Sequence, residues 1–134
     1  ALVGPAVAAG LVPAVRAEGP RRHSLPGAPD PEEIAACLAR LWECAEREPA
    51  WDVRAALLHL GVLWIRPWPG ANGRAARLLL NTLRAAAGHR WLVIPPARAG
   101  VYTAAVDAAR DAGDAEPFCL LVHACSARSS RPPA

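Results

Sequence analysis

With 134 residues and 53% hydrophobic side chains, the chain is long enough for one domain with a real core and short for two. A net charge of +3, with acidic residues spread among the arginines, argues against a nucleic-acid partner, because no arginine-dense stripe or aromatic stacking platform stands out. The apolar share is mostly Ala and Leu, with one Phe and one Tyr, which favours helices over sheets and places the chain in the mainly α class.

The opening ALVGPAVAAGLVPAV is apolar but lacks a basic flank, is broken by Gly4, Pro5, Gly10 and Pro13, and is too short to span a bilayer, so no membrane partner is expected. It begins with Ala, as a trimmed or processed terminus would, and residues 1–10 read as a lead. Residues 11–25 alternate weakly and carry a Gly19–Pro20 turn signal, which suggests a small hairpin restricted to edge pairing by Pro13 and Pro20.

Asp30 is placed to cap a helix over 31–47, with Pro31 at its first position and Glu32 and Glu33 at the positive end of its dipole. Ile34, Cys37, Leu38, Leu41 and Ala45 recur at helical spacing on its inner face. A second helix, from near Pro49 to Ile65, is apolar on most faces after Ala55 and reads as central; Pro67 ends it. A third helix is expected over 73–87 with Gly88 as its C-terminal cap, followed by WLVIPP as an extended link. The segment ARAGVYTAAVDAARDAG gives a fourth helix with Val101, Ala105, Val106 and Ala109 inward, and a last one starts near Pro117. Residues 1–128 read as a single domain and 129–134 as a disordered tail.

All the basic residues are Arg and none is Lys, most simply a codon bias, so guanidinium groups carry less functional weight here than usual. Cys37, Cys44, Cys119 and Cys125 lack metal-ligand spacing and read as core thiols of a cytoplasmic protein. Trp42, Trp51, Trp64 and Trp91 read as core or lid residues.

The loop between the second and third helices, RPWPGANGR, is the chemically informative stretch. A helix opening with Asn-Gly-Arg offers unbonded backbone N–H groups and a positive dipole end to an anion, most obviously a phosphate. Gly70 and Gly73 allow close backbone approach, Asn72 is a suitable cap, and Arg74 and Arg77 share one helix face. The bland alternative is a tight connection between core helices with solvated arginines.

HLGVLWIRPWPGANGRAAR resembles the signature of Fic (Fido) domains, H-P-F-x-D/E-G-N-G-R-x-x-R. Pro67, Asn72, Gly73, Arg74 and Arg77 match it; Trp68 stands for the phenylalanine and Ala71 for the first glycine. The resemblance implies a helical bundle around two central helices joined by a phosphate-binding loop, with residues 11–25 as a flap that pins a target protein. It also implies AMP transfer from a nucleotide such as ATP to a target hydroxyl. Asn72, Gly73 and Arg74 would meet its phosphates and Arg77 the outer one, or a glutamate of an inhibitory helix.

Two departures touch the chemistry. Arg66 stands where the family has its catalytic histidine, and a guanidinium cannot serve as a general base at neutral pH. Gly70 stands where the family has the acidic residue that holds magnesium, so the protein is not expected to anchor that ion. Arg66 either supplies positive charge in place of the metal or is a drifted surface residue. His59 lies two turns before Arg66, about 10 Å along the axis, and reads as a hydrogen-bonded core histidine; His23, in the flap, is the better outside base. His89 and His123 have no evident catalytic partner.

The leading reading is a phosphate- or nucleotide-binding pseudoenzyme that also contacts a partner protein. The alternatives are a magnesium-independent transferase or lyase using Arg66, and a purely structural interaction subunit.

Overall fold

The computed structural model describes residues 28–129; the lead, the expected hairpin over 11–25 and residues 130–134 lie outside them. Among the described residues the architecture is five α-helices and two short 3-10 turns, with no strand. None of these helices is long and apolar enough to cross a membrane.

The first predicted helix begins as a 3-10 turn, Pro31–Glu33, and continues as α1, Ile34–Arg47. The backbone N–H of Asp30 donates to the Glu33 carboxylate at 3.1 Å, which fixes the chain's entry. Ile34 and Ala45 are the buried anchors of α1, and Cys37, Leu38 and Leu41 are half-buried beside them. Glu48 then joins α1 to α2, Trp51–Ile65: its side chain accepts from the Ala50 N–H at 2.9 Å, and its carbonyl accepts from Arg54 at 2.6 and 3.1 Å. Those bonds place Pro49 in the connection, so α2 starts two residues after it.

Helix α2 is central, as its all-round apolarity predicts. Ala55, Ala56, Leu58, His59, Val62 and Ile65 are all buried. It touches α1, then α3 (Asn72–Ala86), α4 (Ala99–Ala112) and α5 (Glu116–Ser129). Gly61 lets α1 lie close, because a Cβ there would overlap the Leu41 side chain. The core gathers Ala55, Ala56, Leu80, Leu92, Ala105, Phe118, Leu121 and Cys125, and the chain's one Phe is fully buried.

Helix α3 ends as expected at Gly88. That residue has φ 81°, its N–H donates to the Ala85 carbonyl at 3.0 Å, and the His89 N–H donates to the Arg84 carbonyl at 2.9 Å. The extended link that follows is fastened back onto α3 by a buried side chain. Asn81 Nδ2 donates to the Leu92 carbonyl at 3.0 Å, and Asn81 Oδ1 accepts from the Leu92 N–H at 2.6 Å. Arg84, only 3% exposed, donates to the Arg90 carbonyl and, at 2.9 Å, to Ser126 Oγ of α5. A second 3-10 turn, Pro96–Arg98, leads into α4, which Gly113 ends at φ 67°.

Several expected core residues lie elsewhere. Val101 of α4 is 56% exposed, because the inward stripe of that helix runs through Tyr102, Ala105, Val106 and Ala109 instead. Trp64 and Trp91 are exposed, since neither falls on a buried face; Trp51 is half-buried and stacks on His89 at 4.4 Å. Of the cysteines, which form no disulfide, only Cys125 is a core residue, whereas Cys44 is exposed on the outer face of α1.

Candidate functional site

The loop between α2 and α3 makes two left-handed turns at residues that are not glycine. Arg66 ends α2 at φ 48°, ψ 59°, with its N–H still donating to the Val62 carbonyl at 3.0 Å. Pro67 cannot continue the helix and is itself buried, so the chain must leave the α2 axis at Arg66. Ala71, at φ 64°, turns the chain back into α3, whose first helical bond runs from the Ala75 N–H to the Ala71 carbonyl at 2.9 Å.

Asn72 does not cap this helix. Its Nδ2 donates to the Trp68 carbonyl at 2.8 Å and its Oδ1 accepts from the Trp68 N–H at 3.1 Å, so the carboxamide is turned back across the loop. The residue is 7% exposed. This corrects the cap expected from sequence: the side chain fixes the shape of the loop, and the first-turn N–H groups of α3 are left for another acceptor. A carbonyl and an amide on one side chain match one residue's N–H and C=O, which is why Asn fits here and Asp does not.

A cavity of about 390 Å³ opens against the loop, lined by Arg66, Gly70, Ala71, Asn72, Gly73 and Arg77 from the motif, with Leu63 behind. Tyr102, Thr103, Val106 and Asp107 of α4 form the facing wall. Four of the five sequence-predicted site residues, Arg66, Asn72, Gly73 and Arg77, thus meet in one space. Arg74 does not: it lines an adjoining cavity of about 460 Å³ with Arg77, Leu78, Asn81 and the link segment from Trp91 to Pro96. Arg77 and Tyr102 belong to both cavities and mark the place where they join.

A Cβ at Gly73 would meet only the Arg77 guanidinium, at 3.8 Å, and one at Gly70 would meet nothing within 4 Å. Neither glycine is demanded by packing; each leaves the cavity wall bare. Arg66 is half-buried against the cavity, while Arg74 and Arg77 are exposed, so three guanidiniums stand around the start of α3. With the positive end of the helix dipole, they make the region attractive to a multiply charged anion.

The residues present do not fit a magnesium ion held by the protein. Gly70 offers no oxygen from a side chain, and among the described residues no group of three or more His, Cys, Asp and Glu is placed to hold a metal. The carboxylate that does line the cavity, Asp107, is bound to Arg110 at 3.0 Å.

His59 is the buried core histidine expected. It is fully buried, its Nε2 lies 3.0 Å from the Tyr102 hydroxyl, and its ring stacks on Phe118 at 4.8 Å. Burial pushes its pKa down to about 4, opposed by the nearby Ala76 carbonyl and assisted by the Arg77 charge, so the ring is neutral at pH 7. It lies behind the wall of the cavity, not in it. His89 packs on Trp51, His123 is exposed on α5, and His23 lies outside the described residues.

Sequence reasoning missed Tyr102, Thr103 and Asp107. The signal that points to Tyr102 is its place as the chain's one Tyr on the inward stripe of an amphipathic helix, where a hydroxyl needs a partner.

A family profile described as Fic/DOC family matches residues 16–83, just over half of the chain. The protein is 30% identical over 105 residues to "Protein adenylyltransferase Fic" of Drosophila willistoni and, equally, to that of Drosophila melanogaster. Those matches cover 75% of this chain and 21% of each relative, so the chain spans about a fifth of the length of the curated relatives it matches. Among solved structures, Fic-1 of C. elegans superposes with a TM-score of 0.65 at 30% identity, covering 75% of this chain and 31% of that one. A substituted form of the same Fic-1 segment gives 0.67 at 28% identity, covering 86% and 34%.

Proposed function

The chain belongs to the Fic/DOC family, and from that premise we propose that it is a nucleotide-binding Fic domain that does not carry out ordinary magnesium-dependent AMP transfer. The observation that carries the proposal is the composition of one cavity wall: Asn72, Gly73 and Arg77 are kept, while Arg66 and Gly70 occupy the positions of the base and the metal-holding acid. The triphosphate of a nucleotide such as ATP lies along the start of α3. Its oxygens accept from the backbone N–H groups of the first turn, from Arg77 and from Arg74 where the two cavities join, and Arg66 supplies the charge that the metal supplies elsewhere. A base removed from the reaction costs on the order of 10²–10⁴ in rate, and the absent metal anchor adds to that. The bound nucleotide is then a signal read by a partner protein in the cytoplasm.

Calorimetric titration of ATP and inorganic pyrophosphate, each with magnesium and with a chelator, tests this. Micromolar binding that survives chelation and is lost in Arg74→Ala and Arg77→Ala is the expected result. Unchanged affinity in both variants overturns the proposal, and no binding at all leaves the structural-subunit reading in its place. The double variant Arg66→His, Gly70→Asp is expected to gain AMP transfer, because the space beside Gly70 accepts a side chain.

One observation favours a second reading, turnover without a protein-held metal: Asp107 brings a carboxylate to the same cavity. Chelator-insensitive AMP transfer, abolished by Arg66→Ala and by Asp107→Asn, would establish it.

A further inference from the structure

The cavity against the loop has two chemically opposite sides. Arg66, Arg77 and the start of α3 make one side positive, while the facing wall, supplied by α4, holds Thr103, Val106 and Asp107. These three fall at i, i+3 and i+4, on one face of α4, with Thr103 and Asp107 about 6 Å apart along its axis. A triphosphate fits the first side and is repelled from the second by the Asp107 charge. Whatever the phosphates carry therefore lies against α4, and at about 390 Å³ the space is of a size for a small molecule.

The polar groups of this wall offer acceptors to the cavity. Thr103 spends its hydroxyl proton on the Ala99 carbonyl at 3.1 Å, so toward the cavity its oxygen has only lone pairs to give. A carboxylate such as Asp107 only accepts. Its Oδ1 is held by Arg110 at 3.0 Å, and Arg110 is itself gripped by Asp111 at 2.7 and 2.9 Å, which fixes the carboxylate in place. Among the described residues no group bonds the second oxygen, Oδ2. The Tyr102 hydroxyl of the same wall is engaged with His59 Nε2 at 3.0 Å. Val106 adds an apolar surface beside the two acceptors, against which a flat ring can lie.

Such a wall sorts bases by the edge they present. Guanine carries adjacent donors, the N1–H and the N2 amino group, which one carboxylate accepts together. Adenine places an unprotonated N1 beside its amino group, and cytosine and uracil likewise mix acceptors into that edge. Each of these would set a lone pair against a carboxylate oxygen. We infer that the cavity takes a guanine nucleotide, with Asp107 as the residue that reads the base and Thr103 as a second acceptor. The inference rests on the reading of the α3 start as the phosphate site, and adds to it the identity of the base. ATP still binds through its phosphates, but more weakly.

The experiment is calorimetric titration of the protein with inorganic pyrophosphate, ATP, GTP, ITP and XTP in the presence of a chelator. GTP is expected to bind about tenfold more tightly than ATP, the effect of charge-assisted bonds to a carboxylate whose side chain is 44% exposed. ITP, whose base lacks the N2 amino group, should fall between them. Asp107→Asn is nearly isosteric, and its amide presents one donor and one acceptor, the complement of xanthine. It should abolish the preference for GTP over ATP and raise the affinity for XTP by about tenfold. Thr103→Val should lower the ratio of GTP to ATP affinity by a smaller factor. Because the readout is a ratio between nucleotides, a general loss of folded protein cancels. Binding of pyrophosphate with equal affinities for GTP and ATP overturns the inference and leaves the phosphate reading standing. A GTP preference that Asp107→Asn leaves intact also overturns it, and is the result expected if Asp107 serves a target hydroxyl instead. If none of the five binds, both readings fall.

Discussion

Replacing Asn72 by Ala removes the two bonds that fold the loop between α2 and α3, at 2.8 and 3.1 Å to the backbone of Trp68. Each is worth about 1 kcal/mol net, and because Trp68 is half-buried its released N–H and C=O regain only part of their hydration, so the loss is about 2 kcal/mol. For a domain of this size that corresponds to a fall in Tm of roughly 6–8 °C, read by circular dichroism. The same variant should lose most of its affinity for pyrophosphate, since the first-turn N–H groups of α3 are aimed by this loop. Asn72→Asp is the sharper probe. It is isosteric, but one carboxylate oxygen then faces the Trp68 carbonyl, so it should be no more stable than Asn72→Ala despite a favourable position at the helix start. The reasoning is refuted if Asn72→Ala melts within a degree or so of wild type, or if Asn72→Asp is as stable as the native chain.

Ala71→Gly should stabilise the protein by about 0.5–1 kcal/mol, as relief of the left-handed φ of 64° outweighs the added freedom of the unfolded chain, measured as a higher denaturant midpoint. Asn81→Leu should cost about 2–4 kcal/mol, because Leu92 is 4% exposed and both of its backbone groups lose their partner; chemical denaturation checks it. His59 makes stability pH-dependent. Its folded pKa, about 4, lies below the unfolded 6.5, so the folded state resists protonation; its contribution is complete above pH 6.5 and is lost as pH falls toward 4. The loss amounts to about 3 kcal/mol, and the slope of stability against pH over that window should flatten in His59→Gln.

Much of the bundle is legible in the sequence because punctuation and periodicity agree. Pro67, Gly88 and Gly113 end helices where expected, and α2 is central because Ala55 to Ile65 offers no polar face. The anion loop and four of its lining residues follow from the Asn-Gly-Arg start. What is not legible is how buried polar groups choose their partners. Asn72 could bond its own helix or the strand of loop before it, and two left-handed residues, neither glycine, decide for the loop. Asn81 and Arg84 look like solvent residues by type. They fall on the stripe of Ala76 and Leu80, however, and are buried because each satisfies backbone groups of the link. Arg74 and Arg77 share a helix face and one cavity, yet only Arg77 also lines the cavity against the loop, whose facing wall is built by α4, and no local pattern contains that wall.

The Asn72 clamp also bears on how the molecule ages. An asparagine followed by glycine is chemically the most fragile dipeptide in an unstructured chain, because the glycine nitrogen attacks the carboxamide carbon, expels ammonia and leaves a succinimide that opens to aspartate or isoaspartate. Here the carboxamide is tied to Trp68 and the following nitrogen is already wound into the first turn of α3, so neither atom can reach the other. The clamp that shapes the loop is therefore also its chemical shield. Each transient opening exposes Asn72 to an irreversible change, whose product would be unable to close the clamp again.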